Sequence, residues 1–122
     1  MKKELDLVKQ FHEKFRVPVL EKPSLIPKDR SDLRHNLMKE EVKEYLEGVE
    51  KADLENIAKE LADILYTVYG TILEHGLQDL MEEIFEEVHK SNMSKDYGEY
   101  KAVKGKSYFR ADVKGIFERN KA

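Results

Sequence analysis

The sequence contains no cysteine among its 122 residues. This absence excludes disulfide bonds, thiolate metal sites and cysteine nucleophiles, and it is compatible with a reducing cytoplasmic environment. No apolar run approaches the ~18 residues that a membrane-spanning helix needs. The segment after Met1 alternates charged and apolar residues, which is not the pattern of a signal sequence. We therefore expect a cytoplasmic protein that does not interact with a membrane.

The chain also has little net charge, although 39% of its residues are charged. Its 22 Lys and Arg residues nearly balance 25 Asp and Glu residues, which leaves a formal charge of −3 at pH 7. No global basic field indicates nucleic-acid binding, so we expect a small-molecule partner. At this length we expect one domain, residues 1–122, that buries roughly 65% of the surface of its unfolded chain.

The spacing of apolar residues predicts an all-α protein, an antiparallel bundle of about four helices with an irregular C-terminal tail. The first helix should end before Pro18, because a residue that precedes proline avoids the helical region. Asp53 is suited to cap the third helix, and Gly76 is suited to end it. The remaining predicted segments are a second helix from near Lys28 to about Glu50, a third over 54–75, a fourth that reaches about Lys95, and a tail of loops or a short hairpin over 96–122.

The third predicted helix is apolar around most of its circumference, and it has one polar stripe that includes Glu60 and Asp63. A helix of this kind is buried in a bundle. The other helices of one chain are too few and too short to cover it, so we expect a second copy of the chain to complete the core. A homodimer is the preferred assembly, and a tetramer is the alternative.

Four acidic residues lie symmetrically in sequence about Ala52: Glu41, Glu44, Glu60 and Asp63. Residues three apart share one helix face, so a tight turn near residue 52 would bring the two acidic pairs together across an antiparallel hairpin. Oxygen-only ligation suits Mg²⁺, with Mn²⁺ as the alternative, and a Mg²⁺ ion held by carboxylates keeps positions free for substrate phosphates. The pattern therefore predicts a metal-dependent enzyme that acts on a phosphorylated small molecule.

The alternative interpretation of these four acids is an ordinary solvated helix face. We expect them to lack basic partners one helical turn away, unlike the outward acids Glu47 and Glu86. Converging carboxylates without such partners repel each other, which favours the metal interpretation. Glu40 borders the predicted cluster, either as the group that orients or deprotonates a water molecule or as an exposed glutamate without a role.

Two further residues have two interpretations each. Arg34 lies on the same face as Glu41, two turns earlier, where it is placed either to reach a phosphate or to form a salt bridge with an acid. His12 lies next to Phe11 and near Phe15, where it either stacks on a nucleobase or packs inside the protein. Tyr66 and the first helix are expected to contribute to the pocket that selects the base.

Several motifs occur together along most of the chain. They are Glu40-Glu41-x-x-Glu44, Glu60-Leu61-Ala62-Asp63, Ser91-Asn92-Met93-Ser94-Lys95, and Lys104-Gly105 followed by Tyr108. With these motifs the chain resembles the all-α nucleoside triphosphate pyrophosphohydrolases, the MazG-like group that includes dimeric dUTPases and phosphoribosyl-ATP pyrophosphatases. The tail departs from the usual pattern of that group at Gly105-Lys106-Ser107-Tyr108 and at Arg110-Ala111-Asp112.

The resemblance implies that the four acids bind Mg²⁺, that Asn92 and Lys95 contact the nucleotide or its phosphates, and that Lys104 and Tyr108 close over the phosphates. It also implies hydrolysis of a nucleoside triphosphate, with a dNTP as the expected substrate, to a monophosphate and pyrophosphate. The alternatives are an activity like that of phosphoribosyl-ATP pyrophosphatase, and a non-enzymatic helical interaction module with an acidic stripe. A di-iron bundle is a weaker alternative, because only Glu86-x-x-His89 has the required spacing.

Overall fold

The computed structural model describes residues 1–121, and the regular elements in that range are α-helices. The five helices are α1 (Lys2–Phe15), α2 (Lys28–Glu50), α3 (Leu54–Glu74), α4 (Met81–Met93) and α5 (Val113–Arg119). The predicted all-α class is therefore confirmed. Within residues 1–121, no helix is both long and apolar enough to cross a membrane.

The helices divide between two compact units. The first unit, Met1–Gln78, contains α1, α2 and α3, and in it α3 packs against both α2 and α1. The second unit begins at Asp79 and contains α4 and α5, which pack against each other. The predicted cluster of four carboxylates belongs entirely to the first unit, on α2 and α3.

The turn between α2 and α3 lies where the sequence predicts it. Ala52 adopts the left-handed conformation, with φ of 53°. Its N–H donates to Val49 O at 3.0 Å and the N–H of Asp53 donates to Gly48 O at 3.1 Å, which completes a Schellman motif at the end of α2. The Asp53 side chain accepts from the N–H of Asn56 at 3.1 Å and so caps α3. This three-residue connection makes α2 and α3 an antiparallel hairpin.

The end of α3 is fixed by a second Schellman motif. Gly76 has φ of 66°, and the N–H groups of Gly76 and Leu77 donate to Leu73 O at 3.1 Å and to Ile72 O at 3.0 Å. A Cβ atom at position 76 would also overlap the backbone carbonyl of Lys22. Glycine is therefore required twice at this position, by its backbone conformation and by the close approach of the connector between α1 and α2.

The second unit differs from the sequence prediction in two ways. The α4 helix covers Met81–Met93, so it begins later than the apolar pattern after Gly76 suggests and ends before Lys95. The tail after residue 96 was predicted to be irregular, and this is wrong for Val113–Arg119, which form α5. The Asp112 side chain caps this helix by accepting from the N–H of Gly115 at 2.9 Å, and Ile116 buries its apolar side. The loop before it contains one isolated antiparallel bridge, between Asp96 and Val103.

Candidate metal centre

Three of the four predicted carboxylates meet between α2 and α3. Glu41 from α2 and Glu60 and Asp63 from α3 each offer an oxygen, and these oxygens lie within 4.8 Å of one another. The prediction that the α2–α3 hairpin brings acids from both helices together is confirmed for these residues. Three oxygens at this separation from one another are close enough to share one hard cation.

Two oxygens of this cluster have no partner in the described part of the chain. Glu41 Oε2 and Glu60 Oε2 are inaccessible to solvent and make no hydrogen bond with residues 1–121. Buried polar atoms in proteins are normally hydrogen-bonded, and an unpaired buried carboxylate oxygen is costly. A cation bound among these oxygens would remove that cost, so the donor set fits Mg²⁺ or Mn²⁺.

The electrostatics of the cluster include the fourth predicted carboxylate, Glu44. Burial raises the pKa of Glu41 to about 7, and the nearby Glu44 carboxylate and the charge of Asp63 raise it further. The pKa of Glu44 is also raised, chiefly by the nearby carboxylate of Glu60. Both shifts have the sign expected when carboxylates crowd together.

One expectation about the acids is wrong. Asp63 does have a basic partner one turn away, because Lys59 Nζ lies 2.7 Å from Asp63 Oδ2 and 3.7 Å from Glu60 Oε1. The hydrogen bond to Asp63 is also the main reason that the pKa of Lys59 is raised. The Lys59 side chain is 67% exposed, and an ion pair this open to solvent contributes little to stability. Lys59 therefore offsets part of the repulsion while Glu41 keeps an unpaired oxygen.

Glu40 lies outside the three-carboxylate cluster. Its side chain is exposed on α2, and its charge makes a small contribution to the raised pKa of Glu44. It therefore borders the site, as its position next to Glu41 suggests. Its predicted role toward a water molecule stays a prediction.

Of the two interpretations of Arg34, the salt bridge with an acid is the one that the structure shows. Nη1 of its guanidinium lies 3.1 Å from Glu74 Oε2. Nε donates to Thr71 Oγ1 at 3.1 Å, and Nη2 donates to Thr67 O at 2.9 Å. All three partners belong to α3, so Arg34 holds α2 against α3 at the open end of the hairpin. A contact between Arg34 and a substrate phosphate remains a prediction.

The partner of Arg34, Glu74, was not predicted from the sequence. Glu74 is buried in the last turn of α3, and it also accepts two hydrogen bonds from Arg30, at 2.9 and 2.8 Å. A Cβ atom at Gly70 would lie 2.5 Å from Arg34 Nη2 and 2.9 Å from His12 Nε2, so Gly70 makes room for this network. An acid at the end of an otherwise apolar helix, with arginines at positions 30 and 34, was the available signal.

His12 is packed inside the first unit, and neighbouring aromatic rings are exposed. Its side chain is 2% exposed, Nδ1 lies 3.1 Å from Pro18 O, and burial lowers its pKa. Phe11 and Tyr66 remain partly exposed, and their rings meet edge to face with centroids 5.5 Å apart. The ring centroid of Phe15 lies 4.7 Å from that of Phe11. The Phe11–Tyr66 pair is therefore better placed than His12 to contact a base. Contact with a base stays a prediction for His12 and Tyr66.

The remaining predicted residues belong to the second unit. Asn92 is exposed in the last turn of α4, Lys95 follows that helix, and Lys104 Nζ lies 5.2 Å from the centre of the Tyr108 ring. The two serines of the Ser91-Asn92-Met93-Ser94 motif are used structurally. Ser91 Oγ donates to Phe109 O at 2.7 Å, and Ser94 Oγ accepts from the N–H of Phe109 at 3.1 Å. Substrate contacts by Asn92, Lys95, Lys104 and Tyr108 stay predictions.

Comparison with curated proteins gives no match. Residues 8–92 match the model of the phosphoribosyl-ATP pyrophosphohydrolase family. The matched segment covers well over half of the chain and includes all four acids of the α2–α3 hairpin. The chain therefore belongs to the phosphoribosyl-ATP pyrophosphohydrolase family, within the all-α nucleoside triphosphate pyrophosphohydrolases, and is a pyrophosphohydrolase acting on a nucleotide.

Proposed function

We propose that this protein hydrolyses a nucleoside triphosphate between the α and β phosphorus atoms, in a reaction that depends on Mg²⁺. The products are a nucleoside monophosphate and pyrophosphate, and a dNTP is the proposed substrate. The observation that carries the proposal is the meeting of Glu41, Glu60 and Asp63, with two buried oxygens that lack partners in residues 1–121. Membership of the family supports the reaction class.

Glu41, Glu60 and Asp63, with Glu44 beside them, are the residues that would hold Mg²⁺, with Mn²⁺ as the alternative. When bound, the ion would neutralise charge on the phosphate oxygens and lower the pKa of a coordinated water molecule. The hairpin contributes rigidity, because the turn at Ala52 and the network around Glu74 hold α2 and α3 at both ends of the site. Preorganised carboxylates need no rearrangement during the reaction.

The water molecule that attacks phosphorus needs a group to orient it and accept its proton. Glu40 is exposed beside the cluster and is outside the set of three carboxylates, so its oxygens are free for this role. A general base must reach the proton directly or through one water molecule. We assign this role to Glu40.

The exposed edge-to-face pair of Phe11 and Tyr66 is the proposed platform for the base. Tyr66 follows Asp63 by three residues on α3, so these two side chains lie about one turn apart on the same helix, and Phe11 of α1 joins Tyr66 there. Base stacking on aromatic rings tolerates different bases. The platform therefore supports nucleotide binding without selecting one base.

A second candidate substrate, phosphoribosyl-ATP, is favoured by the family match over residues 8–92. This substrate contains the same phosphoanhydride linkage between the α and β phosphorus atoms as a dNTP, so the proposed metal site serves both. Phosphoribosyl-ATP differs from a dNTP in two ways: it keeps the 2′-hydroxyl of its ribose, and its base carries an additional ribose phosphate.

A panel of dNTPs, NTPs and phosphoribosyl-ATP, incubated with purified protein and Mg²⁺, tests the proposal. We expect the unaltered protein to release pyrophosphate. The variants Glu41→Gln and Asp63→Asn should lose this activity, and the control Glu47→Gln, on the exposed side of α2, should keep it. Orthophosphate release would contradict the bond assignment. Full activity of both site variants would contradict the site.

The non-enzymatic alternative is a helical module that docks its acidic stripe on a basic partner. It predicts no change in thermal stability with divalent ions, whereas a metal site stabilises the folded state by RT ln(1+[L]/Kd). Thermal unfolding with and without Mn²⁺ separates the two functions before any substrate is known.

We also propose a homodimer, with a tetramer as the alternative. Apolar residues on α2 and α3 remain exposed in the single chain at helical spacing: Val42, Leu46 and Val49 on α2, and Leu54, Leu61 and Leu65 on α3. Large apolar side chains exposed at helical spacing on both helices support an interaction surface there. Light scattering after size exclusion tests the assembly, and a monomer at micromolar concentration would contradict it.

A further inference from the structure

Lys59 lies one turn before Asp63 on α3, and its ammonium group reaches two of the three carboxylates of the candidate metal centre. Lys59 Nζ lies 2.7 Å from Asp63 Oδ2 and 3.7 Å from Glu60 Oε1. The same two acids belong to the group of three whose oxygens are close enough to share one ion. A cation of the chain itself therefore pairs with two of the side chains that would hold Mg²⁺ or Mn²⁺.

This pairing differs from the buried pair of Arg34 and Glu74. The Lys59 side chain is 67% exposed, whereas the side chains of Asp63 and Glu60 are 34% and 7% exposed. Lys59 therefore approaches the carboxylates from the solvent, on a flexible four-carbon stem. Because an exposed ion pair gains little over the hydrated ions, the ammonium group can leave Asp63 at small cost.

Lys59 does not satisfy the cluster that it contacts. Glu41 Oε2 and Glu60 Oε2 are buried and have no hydrogen-bond partner among residues 1–121, although Glu60 Oε1 lies near the ammonium group. Buried carboxylate oxygens without partners carry a desolvation cost. The cluster thus still favours a cation among its oxygens, and that ion would share the side chains of Asp63 and Glu60 with Lys59.

A lysine at this position has two opposite possible effects on a divalent ion. Hydrogen bonds from outer groups orient metal ligands and strengthen binding. A positive charge near the site repels the ion and competes with it for the carboxylates, which weakens binding. The exposure of Lys59 favours the second effect, because a flexible exposed side chain orients Asp63 only weakly, whereas its charge acts in every rotamer that stays near the cluster.

We propose that Lys59 is an internal counter-ion of the metal centre, which a divalent ion must displace from Asp63. Lys59 thereby sets the concentration of free ion at which the centre fills. The proposal rests on the proposed function for the presence of the ion, and it goes beyond that function by assigning a residue that opposes metal binding. The charge of Lys59 is the property that matters, and its hydrogen bond to Asp63 is secondary.

Isothermal titration of the metal-free full chain with Mn²⁺ tests the proposal without substrate or turnover. Lys59→Gln and Lys59→Met both remove the charge, and Lys59→Met also removes the hydrogen-bond donors of the side chain. Both variants should bind Mn²⁺ about threefold to tenfold more tightly than the unaltered protein, because the repulsion between the ammonium group and the ion is gone. Lys59→Arg keeps the charge and should bind within about twofold of the unaltered protein.

The matched control is Lys28→Gln. Lys28 also pairs with an acid four residues later on its helix, because Lys28 Nζ lies 2.7 Å from Asp32 Oδ2, and its side chain is 87% exposed. It precedes Glu41 on α2 by roughly 20 Å along the helix axis, which is beyond the ~8–10 Å Debye length of a physiological buffer. The control removes the same charge and a similar ion pair, and it should leave the affinity for Mn²⁺ within about twofold.

Thermal unfolding gives a second readout that does not depend on the heat of binding. At one Mn²⁺ concentration, the protein that binds the ion more tightly is stabilised more. The rise in melting temperature on addition of Mn²⁺ should therefore be larger in Lys59→Gln than in the unaltered protein or in Lys28→Gln.

Tighter binding by both neutral variants, with normal affinity in Lys59→Arg, supports the proposal. Unchanged or weaker binding in either neutral variant overturns it, and so does equal tightening in Lys28→Gln. If Glu41→Gln loses the binding of Mn²⁺ while the Lys59 variants match the unaltered protein, this inference fails and the metal centre stands. Absence of Mn²⁺ binding from the unaltered protein and from every Lys59 variant overturns both.

Discussion

Arg34 of α2 and Glu74 of α3 form an ion pair of 3.1 Å in which both side chains are almost inaccessible, with exposures of 8% and 1%. Arg30 adds two more hydrogen bonds to the same carboxylate. Removal of one member of a buried pair leaves the other charge without compensation, which costs more than the pair contributes when intact. This relationship leads to the first prediction.

Glu74→Gln should lower the free energy of unfolding by about 3–5 kcal/mol, because Arg34 and Arg30 lose their counter-charge inside the first unit. The control is Asp32→Asn, which breaks the exposed pair with Lys28 and should cost less than ~1 kcal/mol. Urea unfolding at one fixed protein concentration measures both. Similar losses in the two variants would contradict the buried role of Glu74.

Glu41→Gln should have opposite effects on stability with and without metal. Without divalent ions the variant should unfold at a higher temperature than the unaltered protein, because one of four crowded charges is gone. With saturating Mn²⁺ the order should reverse, since a ligand at 100 times its Kd stabilises the unaltered protein by ~2.7 kcal/mol.

Calorimetry or fluorescence during heating measures these transitions, and Glu47→Gln is the matched control. Glu47 is an exposed glutamate of α2 outside the cluster, so its variant should respond to Mn²⁺ as the unaltered protein does. A metal response that survives in Glu41→Gln would remove Glu41 from the site.

The pH dependence of the metal-free protein follows from the pKa of Glu41, which is raised from 4.5 to about 7 in the folded state. A raised pKa means that the folded state holds its proton more tightly than the unfolded state. The stability from this group is therefore complete below pH 4.5 and is lost as pH rises through about 7. Glu41→Gln should not show this decrease.

His12 changes stability in the other direction. Burial lowers the pKa of His12, the charge of Arg34 adds to this effect, and the charge of Glu74 opposes it. The stability that His12 contributes is therefore present above pH 6.5, and it is lost as pH falls through the lowered pKa of the folded state. His12 contributes to the free energy of unfolding of both the unaltered protein and Glu41→Gln, so its contribution cancels when one value is subtracted from the other. Unfolding free energies in EDTA from pH 5 to 8 measure that difference, and a constant value would contradict the raised pKa of Glu41.

Ala52→Gly should stabilise the protein by about 0.5–1 kcal/mol, because Ala52 adopts φ of 53° and only glycine does so without steric cost. The control is Ala58→Gly, an exposed helical position of α3 where glycine should cost ~1 kcal/mol. Urea unfolding compares the two. Destabilisation by Ala52→Gly would mean that the turn does not store this strain.

The helical hairpin and its acids were predictable because their causes are local. Apolar spacing predicts α2 and α3, Asp53 predicts the cap, and a short connection between two helices predicts that acids equally distant from Ala52 meet. The α5 helix was also within reach of sequence reasoning, since Asp112 precedes Val113, Ile116 and Phe117 at helical spacing. The polar and glycine-rich residues before Asp112 outweighed that short signal.

Other features depend on distant contacts that no local pattern contains. Lys59 is not one of these features, because it lies four residues before Asp63 and this pair was therefore a local signal that the sequence already contained. Glu74 meets Arg30 across 44 residues, and Ser91 meets Phe109 across 18. The loop around Phe109 and Asp112 has no periodic pattern of its own, and Glu87 and Ser91 of α4 hydrogen-bond to it together with Ser94 just after that helix.

The sequence alone therefore determined the all-α class, the α2–α3 hairpin and the identity of its acids, because helix spacing, capping and turn chemistry act over a few residues. Only the tertiary structure decided which carboxylate oxygens are buried without partners among residues 1–121, and which arginines pair with Glu74. Burial and pairing are properties of atoms brought together from distant positions, and they appear only when the helices have packed.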